Sequence, residues 1–429
     1  MKRVFALALA TVTAAAGLTA CSVGSSNNTK NTTGKKEITF LVFETPNLTP
    51  QYWDAAIKRV TDKNPDIVVK KEVSPTQDRT AYAKQLLTSG QFPDVMIAVS
   101  PVGFAEAGNL YAWTDSELKD FQFPHNGAVK GKVYQLPANT QTIPITYYDK
   151  DLFTQAGISA PPTTWAELQD DSAKLKAKGI TPFVTGGVHD SIGPLVAGVF
   201  GTDVYANNPN WMHDRRAGKV KFSDPDVKKA FGKIADLAAK GYIDKASVSR
   251  DYAAGQQAFL DGKGAMYAMG NWLAGAVDDP KTKPKFTVGQ FNLPGDSDNK
   301  TVPAFTGGGL LVSSSAKNLD AARKFALGFQ LDKTNLDNSA VTDGLFPAIK
   351  GYSPPTDKVG ATYKAGYDLY AQGVKDNKIV PSFAFEAGDD GPIAGMGAKI
   401  DSSVVDLVTG RKTVDQVCQF LDDEWAKGS

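Results

Sequence analysis

One alternation fills residues 37–99 and restricts the fold more than any other feature of the chain. Residues 37–43 (EITFLVF) form a run of apolar and β-branched residues that predicts a strand. Thr45-Pro46-Asn47 breaks it. Over residues 51–63, Tyr52, Ala56 and Val60, with Trp53 and Ile57, recur at helical spacing, and Asn64-Pro65-Asp66 ends the helix. Residues 67–73 predict a second strand, 80–89 a helix stopped by Gly90, and 94–99 (DVMIAV) a third strand. Strand, helix, strand, helix, strand implies a parallel sheet with covering helices, an α/β fold. Ligands on such sheets lie beyond the carboxyl ends of the strands. That rule draws attention to Glu44 and Ser100, each just past a strand end.

A chain of 429 residues exceeds one ordinary core and predicts two domains. Its apolar content of 42% and charged content of 22% are those of a soluble globular protein. The N-terminus reads as a secretion signal (residues 1–20), with Lys2-Arg3 followed by an apolar stretch over 4–18 too short to span a bilayer. It ends Leu18-Thr19-Ala20-Cys21, which resembles a bacterial lipobox and implies cleavage before Cys21 and lipidation of its thiol. Two acyl chains suffice for stable anchoring. Residues 21–36 are small and polar after the cysteine and predict a flexible tether. The leader takes Lys2 and Arg3 with it, so the 47 basic residues no longer exceed the 46 acidic ones. With no basic excess to neutralise phosphates, nucleic acid is not an expected partner. Cys418 is the only other cysteine, so neither a disulfide nor a Cys-based metal site is expected in the body. It shares helical spacing with Val414, Val417, Leu421 and Trp425, as a core residue does.

Further along, residues 143–148 (IPITYY) form an extended run in which Pro144 predicts an edge or crossing position. Thr164 and Glu167 have capping-box spacing, opening a helix to residue 178. Strands are predicted over 180–185, 265–269, 286–291 and 310–313, and helices over 225–240, 252–260, 318–330 and 413–425. The order Gly131-Lys132-Val133-Tyr134, Leu136-Pro137, Tyr147-Tyr148-Asp149-Lys150-Asp151-Leu152-Phe153, Ala156-Gly157 and Pro161-Pro162-Thr163-Thr164-Trp165 resembles the bacterial extracellular solute-binding proteins of family 1. These are the carbohydrate-binding lipoproteins of ATP-driven importers, related to the maltose-binding protein. Phe92-Pro93-Asp94-Val95, Glu106-Ala107-Gly108-Asn109-Leu110, Gly262-Lys263-Gly264-Ala265-Met266 and Asn271-Trp272 carry the same resemblance.

The resemblance implies a two-lobe, type II periplasmic-binding-protein-like fold, each lobe a mainly parallel sheet with flanking helices. Lobe 1 would comprise 37–142 plus 295–331 and lobe 2 would comprise 143–294 plus 332–429. Three crossings near 143–147, 290–294 and 331–335 would form the hinge. It further implies a monomer that captures a carbohydrate, docks on the transmembrane subunits of an ABC permease, and is held at the outer face of the cell membrane by its lipid, without a cofactor. A secreted glycoside hydrolase and a receptor for a non-sugar solute are the alternatives.

Sugar rings offer hydroxyl edges, which need donors and acceptors, and C–H faces, which stack on flat aromatics. Trp272 beside Asn271 is the leading candidate, and the resemblance implies that this aromatic stacks on the ligand. Gly307 and Gly308 permit close backbone approach or equally form a tight turn, with Phe305 as an adjacent wall. Asn139 and Gln141 lie in the first crossing, where cleft-lining amides are expected. His189 and Asp190 occupy a loop that supplies contacts in relatives, and read equally as a solvated pair. Glu386 and Asp390 sit in a Gly-rich loop near another expected cleft segment. Competing chemistry is weak. Residues 127–132 (GAVKGK) are one residue short of a P-loop, and G-x-S-x-G and H-E-x-x-H are absent. Glu44 with Glu386 or Asp390 would be the pair to suspect in a glycosidase.

Overall fold

The computed structural model describes residues 34–187, 192–297, 301–384 and 387–428. Its strands are β1 (Lys36–Val42), β2 (Ile67–Val73), β3 (Val95–Ile97), β4 (Asn139–Thr142), β5 (Ile145–Asp149) and β6 (Met266–Met269). After these come β7 (Val288–Phe291), β8 (Val302–Gly307), β9 (Leu310–Val312), β10 (Phe346–Pro347) and β11 (Ile379–Pro381). They form three sheets, ordered β2-β1-β3-β9, β6-β5-β7 and β10-β4-β8-β11.

The first sheet follows from the 37–99 alternation. β1 pairs in parallel with β2 and β3, and β9 closes the sheet antiparallel to β3. Side chains alternate along β1: Ile38, Phe40 and Val42 enter one core and Leu41 another. Both faces are therefore covered, which explains the unbroken apolar run. The Pro50–Lys63 helix starts where the Thr49 hydroxyl accepts from the Tyr52 N–H, and Pro50 needs no donor there. It buries Trp53, Ala56 and Val60. Trp53, Phe325 and Phe329 surround the Phe40 ring at centroid distances of 6.2, 5.3 and 5.5 Å. Each such ring stabilises the fold by about 1.5–3 kcal/mol through burial.

The second large core gathers Phe183, Phe200, Phe231, Leu293, Ile400 and Trp425. The Val414–Gly428 helix buries Val417, Cys418, Leu421 and Trp425, the face its sequence predicts. Burial pushes the Cys418 thiol up to about 12, so it stays an inert thiol. β5 carries a sheet of its own, antiparallel to both β6 and β7. This departs from the expected mainly parallel sheet, because β6 and β7 return to β5 from the opposite end.

Two strand expectations need correcting. Residues 143–148 are not one strand: Pro144, with no N–H to give, separates β4 from β5, and β5 is central rather than at an edge. Residues 180–185 make no strand; only Phe183 forms bridges, to Ile243 and Met266. The third sheet is unforeseen. β4 pairs antiparallel with β8 and β10, and β11 runs parallel to β8 on its far side. It draws on four distant chain segments and lies where the two large cores meet.

Candidate functional site

A cavity of about 280 Å³ opens between the two large cores, above the third sheet. Alternation along β4 sets its floor. Asn139 and Gln141 face the cavity, Phe305 is paired opposite Gln141, and Gly308 follows in the turn. Gly308 adopts φ +67°, and an added Cβ would lie 2.5 Å from the Gln141 amide nitrogen. A side chain there would both strain the turn and displace the amide. One wall comes from the first core: Phe43, Tyr52, Trp53, Gln77 and Arg79. The facing wall carries Pro194, Tyr252, Trp272, Phe383 and Asp401. Gln330, Ser339 and Asp343 close one end.

The polar groups are held in defined ways. The Arg79 guanidinium lies 4.1 Å from the Phe43 ring centroid and donates through Nε to the Ala98 carbonyl at 2.8 Å. Asn139 and Gln330 are buried, and their side-chain carbonyl oxygens have no hydrogen-bond partner. An unpaired buried acceptor costs about 1–3 kcal/mol, so two at one cavity point to a ligand that donates. Burial pushes the Asp343 carboxyl up to about 8, against the lowering effects of the Asn47 hydrogen bond and the Arg79 charge. Its surroundings therefore favour the neutral form of the acid. Burial likewise raises the Tyr52 hydroxyl, with Asp343 adding to the effect.

The expected residues divide. Trp272, Asn139, Gln141, Phe305 and Gly308 meet at the cavity. Gly307 lies beneath it in β8 and does not line it. Asn271 is buried behind Trp272, and both ends of its amide are occupied: Oδ1 accepts from the Thr142 N–H at 3.1 Å and Nδ2 donates to the Gly344 carbonyl at 2.8 Å. Ser100 is also buried off the cavity; its hydroxyl accepts from the Val102 N–H in a local turn. Glu44 is passed over by its neighbours Phe43 and Thr45, which do line the cavity. Asp390 lies elsewhere, paired with His213 at 2.8 Å. Cys21, His189, Asp190 and Glu386 fall outside the described residues. Sequence reasoning missed Tyr52, Arg79, Tyr252, Gln330, Asp343 and Asp401. Tyr52 was legible only as a core-facing helical residue, and no local pattern marks the others.

The chain matches the family model of bacterial extracellular solute-binding proteins over residues 45–326. It belongs to that family. Among curated relatives, the sn-glycerol-3-phosphate-binding periplasmic protein of Shigella flexneri is 27% identical over 294 residues, which are 67% of this chain and 65% of the relative. A putative binding protein of Brucella abortus is 25% identical over 264 residues, 59% of this chain and 62% of the relative. The matches thus span somewhat under two thirds of those relatives' lengths. Three solved structures share the fold across both chains. A chitin oligosaccharide binding protein has a TM-score of 0.77 at 22% identity, covering 92% of this chain and 99% of its own. A maltose-bound protein of T. maritima has 0.72 at 20% identity, with coverage of 91% and 99%. A raffinose complex has 0.71 at 20% identity, with coverage of 92% and 99%. This family member therefore has the two-lobe, type II periplasmic-binding-protein architecture.

Proposed function

We propose that this chain is the receptor of an ABC importer, that it captures a carbohydrate in the cavity between its lobes, and that it passes the sugar to the permease without chemical change. The observation that carries the reading is the pair of unpaired, buried acceptors on Asn139 and Gln330, set among Trp272, Phe305 and Tyr52. Hydroxyls satisfy the acceptors, and the ring's C–H faces suit the aromatics. One solved neighbour is named a chitin oligosaccharide binding protein and another is maltose-bound, which agrees with this choice. A cavity of about 280 Å³ lies at the small end of ligand pockets, roughly 300–1,000 Å³, and favours one or two sugar rings over a long chain. A phosphorylated ligand, as named for the Shigella relative, is disfavoured. Among the described lining residues Arg79 is the one Lys or Arg, and Asp401 shares the cavity with it.

In this reading lobe 1 is 37–142 plus 295–331 and lobe 2 is 143–294 plus 332–429. The chain passes between them through Pro144, after β7, and at Asp332. The third passage is tied to lobe 1 by Lys63, 2.6 Å from Asp332, and by Arg59, which donates to Asn335 at 2.6 Å. Ligand touching both walls favours the closed state by its differential affinity. Lipidated Cys21 and the tether to residue 36 keep the receptor, a monomer, beside its permease on the outer membrane face.

Calorimetry with neutral mono- and disaccharides, glycerol 3-phosphate and simple cations tests this, with chromatography for products. Heat and a raised Tm with one sugar, and an unchanged sugar afterwards, is the expected result. Cleavage products, or binding of glycerol phosphate alone, would overturn it.

A further inference from the structure

The floor of the cleft has a reverse side. Asn139 and Gln141 face the cleft, so Thr140 and Thr142 face away. Phe346 pairs directly with Thr140 and so shares that reverse face, while its neighbour Leu345 lines the cleft. A second cavity, of about 350 Å³, lies there beside Phe346. Gln122 bounds it on the lobe 1 side, next to Phe121 of the first core; its N–H donates to the Ala348 carbonyl, and the Lys350 N–H donates to the Asp120 carbonyl at 2.9 Å. Tyr363 and Tyr367 bound it on the other. They belong to the Ala361–Lys375 helix, whose first turn is capped by Asp278 accepting from the Thr362 and Tyr363 N–H groups at 3.0 and 2.9 Å. Asp278 ends a helix that packs in the second lobe's core. The cavity thus spans both lobes on the side away from the cleft.

Its lining suits a sugar ring. The Tyr363 and Tyr367 planes are within 6° of parallel, and Tyr367 is 43% exposed, presenting a flat face. Phe346 meets both rings edge-on at 5.4 and 5.3 Å and holds them in place. Tyr363 is 4% exposed and its hydroxyl has no partner. Lys350 is the one charged residue among the described lining residues, and its ammonium already donates to the Lys119 carbonyl at 2.8 Å. The surface is therefore aromatic and polar without a free ion-pairing demand, which matches a neutral polyhydroxylated ring.

We propose that this rear cavity is a second carbohydrate site and that a sugar held in it favours the closed cleft. The proposal rests on the receptor reading above. Two rigid lobes pivoting about one sheet move oppositely on its two faces, so opening the cleft narrows the rear. A ligand between Gln122 of lobe 1 and Tyr367 of lobe 2 resists that narrowing, and linkage makes the effect reciprocal.

Calorimetry of the full chain and its variants with neutral mono- and disaccharides tests the proposal. The W272A variant, with its cleft impaired, is expected to retain a sugar site. Adding Y367A or Y363F to it should weaken that site about tenfold or more. Y363F removes one buried hydroxyl that has no partner and should not lower Tm. In the wild type, a sugar that occupies the rear site should tighten cleft binding about fivefold or more. If the wild type binds one sugar per chain and W272A none, or if Y367A changes nothing, the rear site is refuted and the receptor reading stands. If no sugar binds the wild type, the receptor reading itself fails.

Discussion

At the scale of single residues, side chains that face the cavity differ from side chains that hold its wall. Trp272 presents its ring to the cavity, and W272A should weaken sugar binding about 10- to 100-fold by calorimetry, roughly 1.4–2.7 kcal/mol. Asn271, next to it, should behave differently. N271A strips the Thr142 N–H and Gly344 carbonyl of their partners, and should cost roughly 2–4 kcal/mol in urea denaturation. In the sequence the two residues look alike, a polar–aromatic pair at a strand end, because spacing does not reveal which side chain turns inward. Asp343 was not legible at all, since its proton depends on burial by residues hundreds of positions away. Its carboxyl is raised from 3.8 to about 8, so the folded state binds the proton more tightly than the unfolded chain. The stability from this group is full below about pH 4 and is lost as pH rises towards 8. D343N should flatten that slope and gain on the order of 1–3 kcal/mol at pH 9, read from denaturation midpoints across pH 4–9.

Among the elements, the parallel strands of the first sheet and the helices that cover it were readable because both periodicities coincide with burial. β1 is apolar on both faces, and the Pro50–Lys63 helix carries a cap and an apolar stripe. The third sheet was hidden for the opposite reason. β4 reads NTQT, four polar residues, and all four are buried. Its pairing with β8 supplies the backbone hydrogen bonds that its side chains do not advertise, and one face serves the cleft. The Gly308 turn binds the two together. G308A places a Cβ against Gln141 at a left-handed φ, and should destabilise the chain by about 1 kcal/mol and weaken sugar binding as the amide shifts. Paired denaturation and calorimetry would check both effects.

For the whole molecule, the family resemblance carried the two-lobe fold class. What it could not carry is the third sheet, whose strand β4 lines the cavity. That sheet is assembled from segments near residues 140, 304, 346 and 380, and pairings of such separation leave no local trace. With the proposed lipid on Cys21 removed, C21S should move the protein from the membrane fraction to the soluble fraction. As a receptor, the molecule must draw its two lobes together on a sugar. Small-angle scattering with and without a saturating sugar, chosen by calorimetry, tests it most directly. A smaller radius of gyration in the bound state is the expected result. An identical scattering curve for a sugar that demonstrably binds would contradict it.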